Sequence, residues 1–159
     1  MTIKQIRRWA AAVAAICLLT LFLPLYGMTA FAATARIAFS DPTASVGSEI
    51  NVKMKITSSD NLSTADIMLA YDPGSLEFIE GTNAEGGNGA VRVHGDGGGA
   101  NTTTLAYDLK FKASAAGTSK ITVTSQEIYD ASSQIVTVDK QGESQVTVSA
   151  LSSASKDAT

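Results

Sequence analysis

The chain has 159 residues, 45% hydrophobic and 17% charged, with a single Cys and a net charge of −3, which favours one globular domain over several. Three of the 12 Lys and Arg, and none of the 15 Asp and Glu, fall in the first 32 residues, so the rest carries about −6. An acidic domain of that kind is a poor candidate for nucleic acid, since phosphate binding rests on clustered cations.

The chain opens with Lys4, Arg7 and Arg8 ahead of the apolar run AAAVAAICLLTLFLPLYGMTAFAA. A basic start, an apolar stretch and Ala30-Phe31-Ala32 as a small-residue cleavage site predict a secretory signal peptide over residues 1–32. The alternative, an uncleaved anchor and the one route to a membrane, is disfavoured because Pro24 and Gly27 interrupt a span that needs ~20 apolar residues. Cys17 lies inside this segment, so the exported remainder is free of cysteine and rests on a packed core rather than disulfides.

From residue 33 to 149 the apolar residues alternate with polar ones at the period of a half-buried strand. Ile50, Val52, Met54 and Ile56 form the first clear set, Ile67, Leu69 and Tyr71 the second, and Leu105, Tyr107, Leu109 and Phe111 the third. Shorter runs at 36–40, 76–80, 90–94, 120–124, 135–138 and 145–149 bring the expectation to eight or nine strands, with no helix of ordinary length. Asp72-Pro73-Gly74 and Ala116-Gly117 mark turns. Two glycine-rich stretches, 81–89 and 95–101, are expected to be loops, and residues 150–159 a linker-like tail. Strands this short and frequent must cover one sheet with another, so the fold class is all-β: a two-sheet jelly-roll sandwich of about nine strands.

In this order VGSEINVKMKI, ADIMLAYDPGSLEFIEG, LAYDLKFKASAAGTSKITVTS and SQVTVS resemble a cohesin module over Arg36 to Ser149. The most specific piece is Asp66, four residues, Tyr71-Asp72-Pro73, two residues, then Leu76-Glu77-Phe78. The resemblance implies a non-catalytic receptor for dockerins, helical modules carried by secreted glycoside hydrolases in extracellular polysaccharide degradation. It places calcium in the dockerin and no cofactor in this chain. It also implies a flat binding face on the outward side of strand 63–71 and its neighbours. Asp66 matches the family's acidic position there, while Thr64 stands where many cohesins have Asn. Met68 is next on that face, and a flexible thioether suits an adaptable helix-binding surface. Alternation from Val91 and Val93 turns Arg92 and His94 outward, and alternation from Ile121 and Val123 does the same for Thr124 and Gln126.

The residue inventory agrees with a binding role. One His, His94, with no G-x-S-x-G turn gives a nucleophile no base, and the acids sit at solvated positions. One His and no Cys after cleavage fall short of a zinc site, and the Asp96 loop lacks the repeated acids of a calcium loop. A polysaccharide-binding module is the second reading, but Trp9 leaves with the signal and Tyr129 is the one aromatic expected outside. A structural spacer of a cell-surface protein is the third.

Overall fold

The computed structural model describes residues 32–97 and 102–151. The signal segment, but for Ala32, falls outside the described residues, as do Gly98–Asn101 and all of the tail beyond Leu151.

Ten strands and no helix make up the described chain, one or two strands more than the alternation alone suggests. The fold is organised by β3 (Glu49–Tyr71), a single strand of 23 residues that belongs to both sheets. Its first half pairs with β1 (Thr34–Phe39) and β7 (Thr102–Ala113), and its second half with β6 (Ala90–Gly95) and β8 (Gly117–Asp130). The first sheet is completed by β9 (Thr137–Gln141), parallel to β1, and by β4 (Leu76–Gly81) beside β7. The second is completed by β5 (Ala84–Gly87) beside β6, β10 (Glu143–Ser149) beside β8, and the short β2 (Thr43–Ser45).

The sequence reads β3 as two strands because its apolar phase changes. Ile50, Val52, Met54 and Ile56 are buried at even positions, whereas Ala65, Ile67, Leu69 and Tyr71 are buried at odd ones. A register shift between Leu62 and Thr64 opposite β8, just after an irregularity between Thr57 and Leu62 opposite β7, supplies the change of phase. An extra residue in one strand inverts which face the next side chains take, so both halves bury against the same core. The Ser63 hydroxyl at this step donates to the Tyr129 carbonyl at 3.3 Å.

Between the sheets lie Leu105, Tyr107, Leu109 and Phe111 of β7, Val91 and Val93 of β6, Ile121 and Ile128 of β8, and Val146 and Val148 of β10. Tyr71 and Phe78 both meet Phe111 edge-on, at centroid distances of 5.2 and 5.5 Å, the geometry that aligns ring edges with π faces. The turn at Asp72-Pro73-Gly74 forms as expected: the Asp72 carboxylate accepts from the Gly74 N–H at 2.9 Å and the Ser75 hydroxyl at 2.6 Å.

The expectation of a loop over 81–89 is corrected. Ala84–Gly87 forms β5, joined to β6 by a two-residue turn in which Asn88 and Gly89 have φ of 53° and 93°. Positive φ at both central residues is the hairpin turn whose twist matches that of the strands, and Asn-Gly is its strongest sequence signal. The glycines serve close packing: a Cβ on Gly86, at φ 151°, would lie 2.3 Å from the Ala90 carbonyl oxygen.

Candidate functional site

The second half of β3 is the centre of the second sheet, so its outward residues have a neighbouring strand on each side. Thr64, Asp66 and Met68 are half-buried between the fully buried Ala65, Ile67 and Leu69. On β6, His94 stands opposite Asp66 and Arg92 opposite Met68, both exposed beside the buried Val91 and Val93. On β8, Tyr129 lies opposite Thr64, Glu127 opposite Asp66 and Ser125 opposite Met68.

Arg92 reaches diagonally across the strand pair to Asp66. Its Nε lies 3.0 Å from one carboxylate oxygen and its Nη2 2.6 Å from the other, a two-pronged pairing that fixes both planes. His94 Nδ1 is 3.4 Å from the second oxygen. The Arg92 guanidinium therefore holds the Asp66 carboxyl below the usual carboxylate range against the opposing effect of burial, and Asp66 in turn raises Arg92. Glu85 of β5, opposite Arg92, adds a further negative charge beside the guanidinium. At the other edge the Tyr129 hydroxyl donates to Glu127 at 3.0 Å, and that bond raises the phenol's pKa.

Of the sequence-predicted residues, the structure brings Thr64, Asp66, Met68, Arg92 and His94 onto one continuous outer face. Thr124 and Gln126 sit differently. A register shift opposite Met68 and Leu69 makes Thr124 the extra residue of a bulge, and its hydroxyl donates to the Met68 carbonyl at 3.2 Å. After the bulge the phase inverts, so Gln126 is half-buried in register with the core residue Ile67. Ser125 and Glu127 occupy the outward positions that simple alternation gave to its neighbours. The change was signalled by apolar spacing: Val123 and Ile128 are both buried but five residues apart, which no unbroken strand permits.

The outcome is a four-strand face, β5–β6–β3–β8, carrying an ion-paired Asp66 at its centre, Arg92 and His94 beside it, a half-buried Met68, and acids Glu85 and Glu127 at its two sides. A shallow groove lined by Asn83, Ala84, Glu85 and His94 borders it. Among the described residues there is no group of three or more His, Cys, Asp or Glu side chains placed to hold a metal ion.

Neither a protein-family model nor a curated protein matches the sequence. Among solved structures the chain is similar to a non-cellulosomal cohesin from the hyperthermophilic archaeon Archaeoglobus fulgidus, at 20% identity and a TM-score of 0.62, covering 73% of this chain and 91% of that one. It is similar to the sixth cohesin of scaffoldin B from Acetivibrio cellulolyticus, solved in complex with a dockerin, at 18% identity, TM-score 0.62, and 73% and 99% coverage. It is also similar to the cohesin module of a family 33 glycoside hydrolase from Clostridium perfringens, at 10% identity, TM-score 0.60, and 75% and 98% coverage. The described domain therefore has the cohesin fold, an all-β sandwich.

Proposed function

We propose that this chain is an exported, non-catalytic receptor that takes a calcium-loaded dockerin on the outer face of β5–β6–β3–β8. The observation that carries this reading is the Asp66–Arg92–His94 cluster at the centre of an outward sheet face. A pre-ordered acid and its cation offer fixed hydrogen-bonding groups to a helix laid across the strands, and Met68 beside them adapts to its apolar side. Dockerin complexes of proteins with this fold support the choice of partner. The partner enzyme is a secreted hydrolase acting on polysaccharide, and the calcium belongs to its dockerin.

The test is a capture experiment with the full-length chain as bait for calcium-loaded secreted proteins of its source, eluted by chelation. Recovery of dockerin-bearing enzymes, lost when Asp66 is replaced by Ala, is the expected result. Recovery of none, or recovery unaffected by calcium, overturns the reading.

A further inference from the structure

The sheet opposite this face carries a second, oppositely charged feature. Arg36 of β1 stands directly across from Lys140 of β9. Its partner on β3 is Thr57, which makes Lys55 its diagonal neighbour, and Lys53 follows two residues along. All four cations are exposed, next to the buried Ile37, Val52, Met54 and Ile56. Neighbouring strands are ~4.8 Å apart and diagonal positions ~7–8 Å, so the charges follow one another at intervals of roughly 5–8 Å.

None of the four is in an ion pair with another described residue. Among the described residues the Lys and Arg pairs with carboxylates are Arg92–Asp66, Lys110–Glu80 and Lys120–Glu143. Asp108 stands opposite Lys53 at the edge of the stripe, and Asp139 sits at the irregular step of β9, but neither closes onto a cation. Like charges placed directly opposite weaken a sheet, and Arg36 and Lys140 are so placed in a chain whose net charge is negative. The floor between the cations is small: Ala38 and Ala106 flank Lys55, and Thr57 lies beside Arg36. A shallow groove continues from there past Thr34 and Ser59, lined by their hydroxyls and, beside Arg36, by Asp139, the one carboxylate in it.

We propose that this stripe is a second binding surface, for the carboxylates of a linear acidic polysaccharide. A row of cations meets a row of anions, the Ala and Thr floor leaves room for a sugar chain, and the hydroxyls pair with ring hydroxyls. Recognition here works through charge and hydrogen bonds and does not need the aromatic platform that neutral sugars use. It is independent of the docking face, which lies on the other sheet.

The test measures binding of the full-length chain to polygalacturonate at low salt, for the native protein, a Lys55→Gln/Lys140→Gln double variant, and Lys120→Gln on the other sheet as control. Each lost charge is expected to lower affinity roughly fivefold, the factor of one Coulomb contact in water, hence roughly 25-fold for the double variant. The control keeps native affinity, and binding fades toward ~1 M salt, where the screening length falls to ~3 Å. Thermal melts of all three proteins coincide if only the surface has changed, and an earlier melt in the double variant is answered by the same comparison with Lys55→Gln alone. No binding, or an equal loss in Lys120→Gln, overturns the proposal. Polyphosphate at equal charge should compete less well than the polysaccharide; equal or better competition overturns the assignment to a sugar polymer.

Discussion

Replacing Tyr107 by Phe tests how the core anchors the docking face. The Tyr107 ring is 1% exposed, and its hydroxyl donates to the Gly95 carbonyl at 2.7 Å. Gly95 ends β6 next to His94, pairs with Ala65 across β3, and has a φ of 147°, with Asn83 atoms 2.8 Å from where a Cβ would stand. The substitution keeps the ring, so it leaves no cavity and removes only the hydroxyl. The net loss of one part-buried hydrogen bond corresponds to ~1–2 kcal/mol. For a domain of this size that lowers the melting temperature by roughly 3–10 °C. Urea unfolding followed by far-UV circular dichroism should show a lower midpoint with an unchanged slope, the mark of a stability change without a change in the surface exposed. An unchanged midpoint refutes the assigned hydrogen bond.

The same residue sets an alkaline limit. Burial pushes the Tyr107 phenol well above its ordinary value of 10.0, because the phenolate loses its hydration inside the core, and Asp96 adds to the shift. A group whose pKa is raised on folding contributes stability in full below the unfolded value and loses it as pH climbs above that value toward the folded one. The native chain should therefore lose stability above pH 10, and Tyr107→Phe should lose less over the same window. Parallel slopes for the two proteins would show that Tyr107 is not the group responsible.

Three further substitutions probe other parts of the structure. Asp66→Ala should weaken dockerin binding by ~1 kcal/mol or more, about fivefold, while the sandwich stays folded; titration calorimetry beside a thermal melt reads both, and unchanged affinity removes Asp66 from the site. Ile67→Asp, one residue along and fully buried, puts an unpaired charge in the core and should abolish cooperative unfolding by circular dichroism, so a native-like melt contradicts the assigned core position. Gly86→Ala should lower stability by ~1–3 kcal/mol, because its Cβ meets the Ala90 backbone at φ 151°, and a neutral result in urea would mean the β5–β6 hairpin is looser than described.

Strand identity and the side that each residue takes were legible wherever the chain is regular. Ile50 to Ile56, Leu105 to Phe111, and Val91 with Val93 were assigned to the core by period alone, and Arg92 and His94 followed as outward residues. The Asn88-Gly89 dipeptide carries a hairpin-turn signal that the loop reading of 81–89 passed over. What alternation misread were the irregular steps. The shift at Ser63 made one strand look like two, and the bulge at Thr124 exchanged the places of Gln126 and its neighbours Ser125 and Glu127.

By itself the sequence determined the all-β class, the composition of the core and the acidic balance, because burial on one face of a strand imposes a period of two on neighbouring residues. The tertiary structure alone decided that β3 spans both sheets, that Arg92 clamps Asp66 from 26 residues away, and that Arg36, Lys55 and Lys140 converge on the opposite face. Those facts depend on strand register, which is set by cross-strand hydrogen bonds and bulges between segments distant in the chain, and no local pattern carries that information.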